Sequence, residues 1–408
     1  MRDRRPPYVD FATRSKQPAG EYDVAVIGGG PAGSATALAL KRRDAGLRVA
    51  LVEQTGYSAI RVGETLPPRA QRLLSDLGVW DAFLRSGPLE SAGTRAAWGS
   101  ARFHENEFIF SPYGRGWHLD RRDFDAMLAG EAGRAGVEVF RNAAVHSPRR
   151  LDNTWTLALH QAAQICARVV VDATGRRSAF ARGCGARHLV FDRPVGAVVF
   201  LGFDPDGPQP DSYTAVEACA DGWWYTAVLP GGQMAAIFMT DASHLRGVAW
   251  RALEQWRALC AAAPYTAARI AGGRAIAEPA LCPAASQRLD DCAGDGWLAV
   301  GDAASTVDPL SSQGIMRALR SGLNASRAIC QHLSGDPHAL SAYGARIANE
   351  YDAYLASRTA YYAMEQRWPE SPFWRCRHET IARGGTAYAV HLENQHQEES
   401  DARGAGPL

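Results

Sequence analysis

The chain has 408 residues, of which 46% are hydrophobic and 21% charged, with a formal net charge of +1. This length provides two or three domains' worth of core, and the balanced charge excludes the basic excess of nucleic-acid-binding proteins. Its apolar runs are too short to span a membrane and its polar start is not a secretory signal, so we expect a cytoplasmic protein with no nucleic-acid or membrane partner.

The first predicted unit is a strand, a helix and a second strand over residues 22–53. The apolar run Val24–Ile27 predicts a buried strand, and Val49–Val52 predicts a second one after the helix. Between them, the turn into the helix fits the pattern G-x-G-x-x-G. Its residues are Gly28, Gly30, Pro31, Ala32 and Gly33. Glu53 closes the second strand, 20 residues after Gly33.

This unit is typical of a dinucleotide-binding site. Gly28 allows the tight turn, Gly30 lets a pyrophosphate approach the backbone, and Gly33 lets helix and strand pack closely. The helix N-terminus offers free N–H groups and a positive dipole end to the phosphates. Glu53 is suited to accept hydrogen bonds from an adenosine ribose, and its charge would repel a 2′-phosphate. FAD or NAD is therefore favoured over NADP at this site.

The elements that follow alternate between helices and strands. Loop 54–68 contains Arg61 and Glu64, and 69–84 has the apolar spacing of a helix. Residues 94–111 predict a hairpin, and Asp120 predicts the N-cap of a helix that ends near 133–136. Strands are predicted at 137–140 and within 155–171, the last of them running into Asp172-Ala173-Thr174-Gly175.

Residues 186–245 have mainly strand character, and they include the aromatic run Trp223-Trp224-Tyr225. Helices are predicted within 248–272. A strand over 296–300 runs into Gly301-Asp302, and a further helix follows Pro309 and Gln313. Residues 338–367 are predicted to be helical.

The eight cysteines are scattered without a C-x-x-C pair, and the histidines are equally dispersed. This pattern favours reduced thiols over a disulfide framework, and it predicts no metal site. Arginine is abundant, whereas lysine occurs only at positions 16 and 41.

Three motifs in this order resemble those of the FAD-dependent aromatic hydroxylases, the group A flavoprotein monooxygenases, a class that also contains the flavin-dependent halogenases. The first is the glycine-rich turn with Glu53. The second is Asp172 to Gly175, although the family usually has Asp-Gly there. The third is Gly301-Asp302 with the segment Asp308 to Ile315. The resemblance covers roughly 22–375.

The resemblance implies an α/β fold: a Rossmann-type FAD-binding domain with an inserted, mostly antiparallel substrate domain and a C-terminal helical segment. The implied FAD-binding domain is discontinuous, with segments 21–85, 119–185 and 275–335. The implied substrate domain consists of 86–118 and 186–274. The helical segment is 336–392, and we expect a flexible leader at 1–20 and a disordered tail at 393–408.

The resemblance also implies roles for single residues. Asp302 would accept hydrogen bonds from the ribityl hydroxyls, and Arg122 would reach the pyrophosphate or ribityl chain. Arg61 would lie by the ribose or pyrophosphate, and the backbone near Val145 would meet the adenine. The segment Gln313-Gly314-Ile315, at a helix N-terminus, would face the flavin N1–C2 carbonyl edge and stabilise the reduced anion. Pro309, Asp172 and Gly175 belong to the motifs that carry these roles.

The implied reaction is hydroxylation of an electron-rich aromatic ring through a flavin C4a-hydroperoxide, with molecular oxygen as co-substrate. NADH, NADPH or a partner flavin reductase would supply electrons. Candidate acid–base groups are Glu64, His104 and His118, although a lone histidine is more often structural. One of the adjacent indoles in Trp223-Trp224-Tyr225 is expected in the core and the other along the substrate cavity.

Two alternatives remain open. Arg61 to Pro68 resembles a halogenase segment, but the motif W-x-W-x-I-P is not matched by the adjacent Trp223 and Trp224. Halogenases also need a lysine for hypohalous acid, and neither Lys16 nor Lys41 is placed for that. A reductase like the geranylgeranyl reductases is the other alternative.

The C-terminal aromatic segment 361–374, together with 221–225, resembles the flavoproteins that mature tryptophylquinone enzymes. This likeness implies a substrate tryptophan within a partner polypeptide. A free indole or phenol is the other substrate class.

Overall fold

The computed structural model describes residues 9–10, 20–159 and 163–382. The expected leader (apart from 9, 10 and 20), the expected tail 393–408 and the end of the expected C-terminal helical segment lie outside these ranges. The chain divides into two compact units. The first consists of 1–91, 108–187 and 289–350, and the second of 92–107, 188–288 and 351–408. Among the described residues, none of the helices combines the length and apolar character needed to cross a membrane.

The first unit contains a nine-stranded sheet with a parallel centre. Gly20–Ile27 lies between Val49–Val52 and Gln164–Asp172, and all three run in the same direction. Val24–Ile27 is buried, as expected for a strand of a parallel sheet covered on both faces. The other strands of this sheet are Val9–Asp10, Glu138–Arg141, Val145–Leu151, Thr154–Leu159, Ala293–Gly294 and Trp297–Ala299.

Two long helices of the first unit pack closely against each other. They are Pro31–Arg43, which follows the glycine-rich turn, and Gly314–Leu333. A Cβ on Gly322 would lie 2.8 Å from the amide nitrogen of Thr36, so the absent side chain permits this approach. The remaining helices that lie wholly within the first unit are Ala70–Asp76, Trp80–Arg85, Arg121–Arg134 and Ala179–Gly183.

The segment 69–84, expected to be helical, forms two short helices instead of one. Gly78 lies between them with a φ of +73°, a left-handed conformation that ends an α-helix and suits glycine. A small sheet of Thr65–Leu66, Gly116–His118 and Leu89–Ser91 completes this part of the unit.

The second unit contains an eight-stranded sheet. Its neighbouring strands are antiparallel except for Tyr213–Cys219 beside Gly93–Ala97. This mostly antiparallel sheet is the one that the family resemblance implied. Its other strands are Arg274–Ala275, Pro194–Gly202, Ala280–Pro283, Gln233–Asp241, Gly222–Leu229 and His104–Glu107.

Aromatic rings fill the core of the second unit on both faces of Gly222–Leu229, because neighbouring residues of a strand point to opposite faces. Trp223 donates its indole N–H to the hydroxyl of Tyr362 at 3.1 Å. The rings of Trp224 and Trp256 pack edge-on, with their centroids 5.1 Å apart. The rings packed around Trp223 and Tyr362 are those of Trp98, Phe373 and Trp374.

The helices of the second unit lie in the later part of the chain. Residues 248–272 contain Leu253–Ala258 and Pro264–Ile270, and Pro264 begins the second of these. The long helix Ala339–Met364 belongs to the first unit up to Glu350 and to the second unit from Tyr351. The helix Pro372–Ala382 follows it. Three further short strands are His188–Val190, Gln287–Leu289 and Ser305–Thr306.

Candidate cofactor-binding site

The glycines of the first turn have two different physical roles. Gly28 has a φ of +111°, and a Cβ there would lie 2.2 Å from the carbonyl oxygen of Ala173. A Cβ on Gly33 would lie 1.9 Å from the carbonyl oxygen of Gly28. A Cβ on Gly30, in contrast, would meet no atom within 4 Å. Gly28 and Gly33 are therefore required by the packing of the protein itself, whereas Gly30 leaves room for a bound group.

This open space adjoins the N-terminus of a helix. Gly30 is the N-cap of Pro31–Arg43, and its first turn has neither a capping side chain nor an acidic residue. The first N–H groups of a helix have no intrahelical partner, and together with the helix dipole they favour an anion. The space at Gly30 and these donors fit the pyrophosphate of a dinucleotide.

Glu53 lies beside the same turn. Its buried carboxylate accepts hydrogen bonds from the amide of Gly29 at 2.8 Å and from the amide of Thr55 at 2.8 Å. Oε1 also accepts from the hydroxyl of Thr55. Each carboxylate oxygen has two lone pairs, so one lone pair of Oε2 remains for a ribose hydroxyl. Tyr57 donates its hydroxyl to the carbonyl of Gly29 at 3.0 Å. Burial, assisted by the charge of Glu53, raises the pKa of Tyr57, which keeps the phenol protonated as a donor.

In the second motif, Asp172 to Gly175, the aspartate side chain binds backbone amides of the turn that follows it. Asp172 is buried, and its carboxylate accepts hydrogen bonds from the amide of Thr174 at 2.9 Å and the amide of Ala181 at 2.8 Å. Burial raises the pKa of Asp172 although these hydrogen bonds oppose the shift. Gly175 follows with a φ of +70° and open space at its Cβ position. Asp172 thus fixes the turn, and Gly175 leaves it accessible.

The third motif packs against the first. Gly301 has a φ of +56°, and a Cβ there would lie 2.6 Å from the Cβ of Ala32. Asp302 follows with its side chain 41% exposed and its carboxylate 3.5 Å from Nε of Arg176. A carboxylate that is partly exposed beside the glycine-rich turn can accept hydrogen bonds from a ligand.

The segment before Gly314–Leu333 presents a second uncapped helix N-terminus. Pro309 begins a short turn, which the carboxylate of Asp308 caps by accepting from the amide of Leu310 at 2.9 Å. Gln313 and Gly314 are exposed, with open space at the Cβ position of Gly314, while Ile315 is buried. No side chain caps this helix start, so its N–H groups can stabilise a negative charge.

Arg122 and Arg121 lie in different surroundings. The side chain of Arg122 pairs with Asp120, the N-cap residue of Arg121–Arg134, and is one-third exposed. Arg121 is mostly buried and binds Asp125 through Nε and Nη2, both at 3.0 Å. Arg61 reaches the same Asp125 at 3.2 Å. Sequence reasoning missed Arg121 and Asp125, although their spacing of four residues on a helix was a signal of an ion pair.

The candidate acid–base groups lie in different units. Glu64 and His118 are both buried in the first unit, where the amide of Leu119 donates to the carbonyl of Glu64 at 2.9 Å. His104 is exposed on His104–Glu107, a strand at the edge of the second unit's sheet. Val145 begins Val145–Leu151 in the first unit and is half-buried.

The three aromatic residues suggested for the substrate are all buried in the second unit. Trp223 and Trp224 have no exposed surface, and Tyr225 is 6% exposed. The indole N–H of Trp224 has no hydrogen-bond partner among the described residues. Contact of these residues with a substrate stays a prediction.

Replacing Asp302 tests its role directly. We expect Asp302→Ala to weaken FAD binding about tenfold to a hundredfold, because a charge-assisted hydrogen bond contributes about 1.5–3 kcal/mol. Its stability should change little, since Asp302 is partly exposed and 3.5 Å from its ion-pair partner. The measurement is a fluorescence titration of the apoprotein with FAD. Asp291→Ala, at an exposed carboxylate of the same unit, is the control. An FAD affinity equal to wild type would exclude Asp302 from the site.

Comparison with known proteins agrees with this geometry. A family profile described as FAD binding domain matches residues 21–353. The provisionally named FAD-dependent oxidoreductase LodB of Marinomonas mediterranea is 31% identical over 365 residues, covering 88% of this chain and 97% of that protein. The 1H-pyrrole-2-carbonyl-(peptidyl-carrier protein) brominase of Pseudoalteromonas luteoviolacea is 26% identical over 332 residues. This match covers 77% of this chain and 79% of the brominase.

A solved structure extends the comparison to the fold. The peptidyl tryptophan dihydroxylase QhpG, described as essential for tryptophylquinone cofactor biogenesis, superposes with a TM-score of 0.72 at 26% identity. The match covers 88% of this chain and 79% of QhpG. The resemblance inferred from three motifs is therefore confirmed over most of the chain. This protein belongs to the FAD binding domain family, among the flavin-dependent oxidoreductases and halogenases.

Proposed function

We propose that this protein is a FAD-dependent monooxygenase that hydroxylates an electron-rich aromatic ring, and that the ring is a tryptophan side chain of a partner polypeptide. The observation that carries this proposal is the similarity to QhpG, a peptidyl tryptophan dihydroxylase, over 88% of the chain. NADH, NADPH or a partner flavin reductase supplies the electrons. The product would be an intermediate in the biogenesis of a quinone cofactor.

The residues of the first unit fit the parts of FAD. The open space at Gly30 would receive the pyrophosphate, Glu53 would bind the adenosine ribose and Asp302 would bind the ribityl chain. The N-terminus of Gly314–Leu333 would stabilise a negative charge on the ring system. When bound and reduced, FAD supplies the activation of molecular oxygen.

An indole ring is electron-rich, so the protein's main contribution to its hydroxylation is positioning. Of the candidate acid–base residues, Glu64 and His118 are better placed than His104, because both are buried in the unit that holds the flavin motifs. A buried group can exchange a proton with a substrate in a site from which water is excluded. His104 is exposed on an edge strand.

Halogenation of an indole or phenol is the second candidate, favoured by the 26% identity to a brominase. Halogenases need a lysine, and the surroundings of Lys41 argue against that role here. Lys41 lies in the last turn of Pro31–Arg43, where its ammonium donates to the carbonyls of Ala45 and Leu47. Both carbonyls belong to the loop that follows the helix, so the ammonium is engaged in holding that loop. The other lysine, Lys16, lies outside the described residues.

Mass spectrometry of candidate substrates after turnover tests the proposal. The protein is supplied with FAD, oxygen and either NADH, NADPH or a flavin reductase, and is given free indoles and tryptophan-containing peptides with chloride and bromide present. We expect a gain of oxygen in the peptides. A gain of chlorine or bromine would establish the halogenase alternative. Turnover of free indoles alone would contradict a polypeptide substrate.

A further inference from the structure

We propose that the exposed residues Ile109, Phe110 and Tyr113 of the first unit form a docking surface for the polypeptide that carries the substrate tryptophan. This inference rests on the proposed function, because it concerns how that same substrate is recognised. We call these three residues the Phe110 patch. Ile109 is 79% exposed, Phe110 84% and Tyr113 38%. Among the described residues, Ile109 and Phe110 are the two most exposed large hydrophobic side chains.

The patch lies on a short helical turn that the rest of the unit holds in place. The carbonyl oxygen of Phe108 accepts from the amide of Ser111 at 2.9 Å. The ring of Phe108 lies against Gly116, where a Cβ would be only 2.3 Å from it. The guanidinium of Arg69 lies 5.4 Å from the ring centre of Tyr113. Because the turn is already ordered, a partner that covers the patch loses little affinity to the ordering of this segment.

The size of the patch fits a partner that binds and then leaves. A stable interface buries about 800 Å² on each partner, and one aromatic side chain buries about 150–250 Å². Three side chains, of which Tyr113 is already partly covered, therefore supply less area than a permanent dimer needs. An enzyme that acts on a polypeptide must release it after each turnover. A few apolar and aromatic anchors can carry most of the binding energy of such a complex.

The charges beside the patch do not suit a lipid surface. Stable attachment to a membrane takes a larger apolar face, or a cluster of basic residues in addition to a small one. Arg115, which follows the patch, is paired with Glu90, and Arg69 lies over the ring of Tyr113. Both guanidinium groups thus have partners within the protein. The patch therefore offers apolar and aromatic surface to apolar residues that flank the substrate tryptophan.

The chain leads from the patch to the candidate acid–base residues. The strand Gly116–His118 follows the patch, and His118 pairs with Thr65, the residue after Glu64. His118 is five positions after Tyr113, a reach of at most about 18 Å. An extended polypeptide covers that distance with about six residues. A segment held at the patch can therefore reach the part of the first unit that contains Glu64 and His118.

A double substitution tests the patch. Ile109→Ser with Phe110→Ser removes the two most exposed side chains and leaves Tyr113 in place. Leu151→Ser is the matched control, because Leu151 is a 74% exposed apolar residue of the same unit. The probe is a fluorescein-labelled peptide of about 15 residues, with one central tryptophan flanked by leucine and valine. A second peptide has serine at the flanking positions. Binding to the protein as isolated is measured by fluorescence anisotropy without an electron donor, so that no turnover is involved.

We expect the wild type and Leu151→Ser to bind the apolar peptide more tightly than the serine peptide. For the double variant, the dissociation constant of the apolar peptide should be at least about tenfold higher, because two large apolar side chains no longer become buried. Its melting temperature should equal that of the wild type, since both side chains are exposed. Equal affinity of the double variant and the wild type would overturn the inference, as would equal binding of the two peptides by the wild type.

Three further results would separate this inference from its alternatives. A wild-type dimer in sedimentation that the double variant lacks would overturn it in favour of a second copy. Binding to phosphatidylcholine–phosphatidylserine vesicles that the double variant lacks would overturn it in favour of a membrane. A gain of oxygen in peptides, with the same KM for the wild type and the double variant, would overturn the docking surface but not the proposed function. Loss of peptide binding in the double variant without any gain of oxygen in the wild type would support the docking surface and overturn hydroxylation.

Discussion

A Gly30→Ala protein is expected to fold like the wild type and to bind FAD at least about a hundredfold more weakly, a loss of roughly 2.7 kcal/mol. Gly30 has φ and ψ of −71° and −174°, values that alanine adopts without strain. Its Cβ would meet no protein atom within 4 Å. The added methyl group would instead occupy the space in which the pyrophosphate approaches the backbone.

Three measurements on purified Gly30→Ala check this expectation. They are the flavin content of the protein as isolated, the dissociation constant for FAD, and the melting temperature of the apoprotein. The melting temperature should equal that of the wild-type apoprotein. Tight FAD binding by this variant would mean that the pyrophosphate does not pass over Gly30, and would remove the glycine-rich turn from the proposed site.

Gly33→Ala is expected to have the opposite effect and to disrupt the first unit even without flavin. Its Cβ would lie 1.9 Å from the carbonyl oxygen of Gly28 and 3.0 Å from the Cβ of Ala173. The first of these is a backbone atom, so the clash cannot be relieved by a side-chain rotation. We expect a loss of at least about 3 kcal/mol in the free energy of unfolding, the upper end of the range for overpacking.

Denaturant unfolding followed by far-ultraviolet circular dichroism measures this loss. Gly183→Ala is a suitable control, because Gly183 ends a helix of the same unit and a Cβ there would have no neighbour within 4 Å. The control should change stability by less than about 0.5 kcal/mol. If Gly33→Ala proved as stable as Gly183→Ala, the result would contradict the close approach of Gly33 to the carbonyl oxygen of Gly28.

The parts of the fold that the sequence predicted best are those whose signals are local. The strand, glycine-rich turn and helix of 22–43 follow from consecutive residues, and the turn lies between strand and helix as expected. The strand character of the second unit was predicted from runs such as 195–203 and 221–230, where the structure has Pro194–Gly202 and Gly222–Leu229, whereas its mostly antiparallel sheet was implied by the resemblance. Its pairing order, with Tyr213–Cys219 beside Gly93–Ala97, depends on distant contacts that no local pattern contains.

The arginines of the candidate site show where such prediction ends. Arg121 and Arg122 are adjacent, and a helix turns by about 100° per residue, so only one of them can face the loop at Val62 and Gly63. The sequence indicated Asp120 as the N-cap but not which arginine turns back to it. In the structure Arg122 pairs with Asp120, and Arg121 is buried against Asp125. That choice depends on a loop 59 residues earlier in the sequence, which supplies the carbonyl of Val62.

The distribution of tryptophan has a spectroscopic consequence. Of the 11 tryptophans, seven belong to the second unit: Trp98, Trp223, Trp224, Trp250, Trp256, Trp368 and Trp374. Trp98 lies 6.2 Å from Trp223 and 5.3 Å from Trp374, close enough for excitation to pass between the indoles. Intrinsic emission will therefore report mainly the melting of the second unit. Damage to the glycine-rich turn will change that signal less, through the four tryptophans of the first unit, and will be visible in the absorbance of the flavin.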